Sequence, residues 1–219
     1  MGLGYTFPIE TFYQVRRLAR NPLLGIRKKL PMKLVMCPYR SDAIRFQEVL
    51  VKRLGRFSLE LEPEKTRLVE FGRFALRMAK EQGKRLETIY FLGFTHFCTR
   101  NRKGNFMVGH KTEKSRFRRS VQSLRSLMRE IRHYSLREQV EKINQVLRGH
   151  YAYYGMGGNS KSLFMIYRFA ERYWHKMLCS QSQKSYITWA RFNFLKQVFP
   201  LQRPKLSVPY TRMKALAVL

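Results

Sequence analysis

The chain has 219 residues, 44% of them hydrophobic, with 44 Lys and Arg against 14 acidic residues and a formal net charge of +30. The apolar fraction excludes general disorder, and the length suits one large domain or two small ones. A charge this one-sided repels itself on compaction, which excludes an ordinary mixed-charge surface and points to a polyanionic partner, nucleic acid ahead of an anionic membrane.

The imbalance is steepest at the end: Gly149 to Leu219 holds 11 Lys and Arg and one acid, Glu171. Cys37, Cys98 and Cys179 are scattered, with no CxxC and no Cys/His spacing suited to zinc. Neither a disulfide framework nor a zinc site is expected, and a reducing cytoplasm fits. No apolar run approaches the ~20 residues of a membrane span, and the N-terminus lacks the basic-then-apolar order of a signal peptide.

Residues 1–33 are interrupted by Pro8, Pro22, Gly25 and Pro31, and only Thr11 to Arg20 reads as a short helix. Leu34 to Met36 reads as a strand. Ser41 is the expected N-cap of a helix with an apolar face of Ile44, Val49, Leu50, Val51 and Leu54, ending near Gly55. Leu59 and Leu61 then alternate with Glu60 and Glu62, Pro63 turns the chain, and Leu68 to Phe71 is a second strand. Thr88 to Gly109 reads as two short strands around the turn Arg100–Asn105.

From Lys111 the period becomes helical. Phe117, Val121, Leu124, Met128 and Ile131 step by 4, 3, 4 and 3 along one face. Ser135 and Glu138 have the spacing of a capping box, and Leu136, Val140, Ile143 and Leu147 mark a second helix that Arg148-Gly149 closes. The stretch "GHYAYYGMGGNS" is then a loop. Leu163, Tyr167, Ala170, Trp174 and Met177 mark a third helix, and Ser185, Trp189, Phe192 and Phe199 a fourth, stopped by Pro200. Leu201 to Tyr210, with two prolines, is irregular. The predicted class is α+β: a small mixed piece over about 34–97, then a helical region over about 111–199.

Binding chemistry concentrates in that second region. Arg118, Arg125, Arg129 and Arg132 step by 7, 4 and 3 and share a helix face away from the apolar stripe. Lys111, Lys114, Arg116 and Arg119 crowd the start of the same helix, where cations oppose the macrodipole, so a ligand explains them better than stability does. Arg100, Arg102 and Lys103 sit in the hairpin turn. Phosphate neutralisation by such groups is largely sequence-independent and salt-sensitive. Arg148, Tyr151, Tyr153 and Tyr154, with His150, form a basic and aromatic cluster; tyrosines there serve equally to stack on unpaired bases or to fill a core. Catalytic patterns are sparse. The five histidines show no HxH or HExxH spacing, and no GxSxG, Walker or strand-linked GxGxxG motif occurs.

Two stretches carry a family resemblance. "FSLELEPEKTRLVEFGRFA" with "IYFLGFTHF" resembles the end of the palm of group II intron reverse transcriptases, and "KTEKSRFRRSVQSLRSLMREI" with "LREQVEKINQVLRGHYAYYG" resembles their thumb and maturase-specific region. Together they span about residues 34–205. The resemblance implies a protein that binds its own intron RNA and assists splicing. It divides the chain into an atypical segment 1–33, a palm remnant 34–97, a hairpin with thumb helices 98–148 and a maturase region 149–219. It places Lys65 at the family's motif-D lysine.

The chain departs from the family at His150, where an aromatic is usual, and before "LVMC", where "YADD" is missing. Two-metal phosphoryl transfer needs clustered carboxylates around two Mg²⁺ ions ~3.5–4 Å apart. The one aspartate, Asp42, falls at a helix start, where an acidic residue is an ordinary cap. The expectation is therefore an N-terminally truncated, RNA-binding remnant without polymerase activity of its own. No cofactor is expected in this chain, although the intact family uses Mg²⁺. The expected partner is group II intron RNA, with DNA as a second polyanion, and the expected location is the cytoplasm. The rival readings are the thumb half of a split RNA-directed DNA polymerase, completed by a second fragment, and a non-functional fragment.

Overall fold

The structure, a computed structural model, describes residues 11–15, 19–20, 33–37, 39–61, 66–182 and 186–212. The fold is α+β. Two compact units divide it, Met1–Gly109 and His110–Leu219.

In the first unit, β1 (Thr11–Val15) and β2 (Ala19–Arg20) replace the helix expected over Thr11–Arg20. Thr, Phe, Tyr and Val favour a pleated surface, and pairing on both sides of β1 decides the outcome. β1 lies between β3 (Lys33–Cys37) and β5 (Thr66–Glu70) and is antiparallel to both, with Thr11 opposite Cys37 on one side and Glu70 on the other. β2 pairs with β4 (Glu60–Leu61). The expected turn at Pro63, and Lys65 beside it, lie outside the described residues.

Helix α1 (Arg40–Gly55) is capped by the extended backbone of Tyr39 and not by Ser41, which lies inside the first turn with Asp42. There the carboxylate complements the helix dipole. The expected apolar face is also corrected: Ala43 is buried and Leu50 and Leu54 half-buried, whereas Ile44, Val49 and Val51 are exposed. At about 100° per residue, Ala43, Leu50 and Leu54 fall within about 40° of one another, and Val49 lies on another side. The sequence pattern had merged two faces.

After α2 (Ala75–Glu81) come three strands where two were expected: β6 (Thr88–Phe91), β7 (Phe94–Arg100) and β8 (Phe106–Thr112), in the order β6-β7-β8. Phe91 pairs with Phe94, so Leu92-Gly93 is a two-residue turn, with φ 47° and 78°. Both values are positive, as a type I′ hairpin requires. Leucine rarely adopts such a φ, which concealed the turn in the sequence. Val69, Phe71, Ala75, Ile89 and Cys98 form this unit's core.

The second unit packs α3 (Lys114–Glu130), α4 (Leu136–Tyr154) and α5 (Ser160–Cys179) against one another, with a 3-10 turn at Ile131–His133 and α6 (Trp189–Val198). Leu124, Met128, Ile131, Val140, Ile143, Leu147, Leu163, Ile166, Trp174 and Phe192 are its centre. Each such side chain contributes about 1.5–3 kcal/mol by burial. The capping box is formed: the Glu138 amide donates to Ser135 Oγ (3.4 Å) and the Ser135 amide to Glu138 Oε2 (3.0 Å).

Helix α4 does not stop at Arg148-Gly149. It continues through Tyr154, because Tyr151 extends the stripe of Ile143 and Leu147 by one more step of four. The buried amide of Gln139 ties three elements together. It donates to the Arg132 and Tyr134 carbonyls (3.1 and 2.8 Å) and accepts from Trp174 Nε1 (2.9 Å). Asn159 does the same before α5: its Oδ1 accepts from the Thr112 amide (2.8 Å) and its Nδ2 donates to the Tyr154 carbonyl (2.9 Å). Among the described residues no helix is long and apolar enough to cross a membrane.

Candidate nucleic-acid interface

Three of the sequence-predicted cations lie in the first unit. Arg100, Arg102 and Lys103 are exposed on the β7–β8 turn. Asn101 shapes that turn, its Oδ1 accepting from the Lys103 and Asn105 amides at 2.9 Å each, and Gly104 takes φ 79° at its tip. A side-chain-mimicked turn of this kind holds the cations outward.

In the second unit, Lys111, Lys114, Arg116, Arg118, Arg119, Arg129 and Arg148 are exposed, and Arg125 and Arg132 are half-buried. Among the described residues, no carboxylate forms an ion pair with an arginine of α3; the unit's pairs are Arg137–Glu141 and Lys196–Glu171. Arg132 is turned to the neighbouring His133, its Nε 3.2 Å from the ring Nε2. Arg125 falls only about 40° from Val121 at about 100° per residue, so it borders the apolar stripe instead of standing clear of it. Its guanidinium lies 5.9 Å from the Phe169 ring centre and 5.6 Å from that of Tyr173. Arg129 Nε donates to the Tyr173 hydroxyl at 2.9 Å.

The tyrosine cluster divides. Tyr151, 5% exposed, belongs to the helical core and is withdrawn from the interface. It is the α4 residue that continues the buried stripe, and its ring fills the core. Tyr153 is 56% exposed and meets Tyr154 edge-on at 4.7 Å. Tyr154 is half-buried, and burial raises its pKa. His150 packs against Tyr154 with ring centres 4.6 Å apart, and burial pushes its pKa down to about 4.

The glycines that follow are packing devices. Val208 forms a parallel bridge with Met156, its amide donating to the Gly155 carbonyl (3.0 Å) and its carbonyl accepting from the Gly157 amide (2.9 Å). A Cβ on Gly155 would run into the Tyr151 carbonyl and Ser207, and one on Gly158, at φ 90°, into the Tyr210 hydroxyl. "GMGG" is thus a seat for the segment Ser207–Tyr210.

A second row of cations escaped the sequence reading. Lys161, Arg168, Arg172 and Lys176 step by 7, 4 and 4 along α5, and all are exposed. Their spacing differs from that of the α3 row only in its last step, four against three, and the same count along the helix would have found them. Arg168 and Arg172 sit beside Phe169 and Tyr173, and α5 packs on α3. The two rows therefore flank one aromatic seam. His175 and Cys179, one turn apart with Nε2 and Sγ 3.7 Å apart, make no nucleophile–base pair, because both groups are directed at the Ile187 carbonyl (2.8 and 3.6 Å). No protein-family model and no curated protein matches the chain.

Proposed function

We propose that this chain binds structured RNA through the cationic face of α3 and α5, and that it is related to the thumb and maturase region of group II intron reverse transcriptases, acting on intron RNA in the cytoplasm. The observation that carries the binding reading is the α3 arginine row, which has no acidic counterpart among the described residues. Cations left unpaired on one face are poorly explained by stability and well explained by a polyanion. The maturase assignment rests on the resemblance of "LEPEKT…FLGF" and "LRGHYAYYG" to that family. In this reading, intron RNA displaces counterions along the face, and the chain contributes binding and not polymerisation.

Filter binding of a structured intron RNA across a salt series tests it. A face that neutralises six phosphates gives a log–log slope of about −4 to −5. A slope shallower than about −1 sinks the proposal, as does equal displacement by anionic lipid vesicles, which would make the partner a membrane surface.

A further inference from the structure

We propose that Arg125 and Arg129, held by the Phe169–Tyr173 ring pair, are the fixed phosphodiester anchor of this face, while the surrounding cations supply field alone. The inference rests on the RNA-binding reading above and adds to it which groups make directed contacts. Phe169 and Tyr173 lie one turn apart on α5, stacked with ring centres 5.5 Å apart and planes 14° from parallel. Tyr173 is buried, so the pair is a rigid ledge. Arg125 packs against both rings, and Arg129 is tied through Nε to the Tyr173 hydroxyl. One tyrosine therefore fixes two guanidinium groups from successive turns of α3.

The chemistry follows from guanidinium geometry. An arginine packed against a ring keeps its in-plane N–H donors for a ligand, and one bonded through Nε keeps its outer N–H groups. The Arg125 Nε is buried without a hydrogen-bond partner, so that part of its side chain is committed to the seam and only the outer fork remains for a ligand. A fixed arginine loses less rotamer entropy on binding than a free one, and bidentate contact to phosphate oxygens is the strong form of that interaction. Arg118, on the same row, is exposed and has no such support among the described residues. Arg168 and Arg172 border the ledge on α5 and raise the local positive potential. The ligand class is an RNA phosphodiester seated at the α3–α5 seam.

Lysine separates anchor from field, because it keeps the charge and loses the planar fork. A labelled stem–loop RNA is titrated at ~0.1 M salt with the full chain and with Arg125→Lys, Arg129→Lys, Tyr173→Phe and Arg118→Lys. Each of the first two should weaken binding ~5- to 10-fold, a loss of about one directed contact. Tyr173→Phe, which frees Arg129 alone, should weaken it ~2- to 3-fold. Arg118→Lys should stay within about 2-fold, and every salt slope should match wild type because no charge changes. Thermal melts confirm folding, and exposed Arg129→Lys leaves the core untouched. Wild-type affinity in both Arg125→Lys and Arg129→Lys overturns the anchor, and so does an equal loss in Arg118→Lys. A shallow slope in the wild type would instead defeat the RNA-binding reading itself.

Discussion

His150 entered the sequence reading as one member of a binding cluster, and its surroundings assign it a different role. Its ring packs against Tyr154, its Nε2 is buried without a hydrogen-bond partner, and burial lowers its pKa from the usual 6.5 to about 4. A buried imidazole is held neutral because charging it there costs solvation. The folded pKa lies below the unfolded one, so between them the unfolded chain binds a proton that the folded chain refuses. Stability from this group is complete above about pH 6.5 and declines as pH falls towards about 4. His96, also lowered by burial, acts in the same direction. Glu138, lowered chiefly by its bond to Ser135, loses its contribution only at more acidic pH. Melting temperatures between pH 7.5 and 4 should therefore fall, and His150→Phe should flatten the profile in the upper part of that window. An unchanged profile in His150→Phe would show that the imidazole is already solvated in the fold.

At the scale of elements, the sequence spoke most clearly where one period served one buried face. The step of 4, 3, 4 and 3 through Phe117 to Ile131 became α3, and Ser135 with Glu138 became the cap of α4. It misled where the deciding partner was distant. Thr11–Val15 is a strand because two others flank it, and no local feature announces that. Leu92-Gly93 is a turn because strand pairing forces a leucine to positive φ. Helix α1 mixes apolar residues on two sides, so counting them overstated its buried face. The α3 arginines were legible as a row, but their support by Phe169 and Tyr173 lies about 45 residues away in the chain and needed the packing of α5. The α5 row itself was legible and went uncounted. If it shares the RNA with α3, Arg168→Glu with Arg172→Glu should weaken binding at least tenfold and reduce the salt slope by about 1.5–2. An unchanged slope would confine the interface to α3.

At the scale of the whole molecule, the two units have separate cores. The second is built wholly from residues between Leu124 and Leu201, with Phe117 and Val121 packed against it. That unit, His110–Leu219, carries 22 Lys and Arg against five glutamates, a net +17, so it holds more than half of the chain's charge excess. Its polar ties are also internal: Asn159 to Thr112, Gln139 to Trp174, and Gly155 and Gly157 to Val208. A unit with its own core and its own internal polar ties is expected to fold by itself. Expressed as His110–Leu219, it should melt cooperatively, and hydrogen exchange should protect α4 and α5 most strongly. It should also keep most of the salt slope of the full chain, missing only the share due to Arg100, Arg102 and Lys103 on the β7–β8 turn. Loss of a cooperative transition would show that the helical core depends on the first unit. A fragment that folds but binds with a slope near zero would move the RNA contacts to the first unit, where the exposed cations of the hairpin turn are the next candidates.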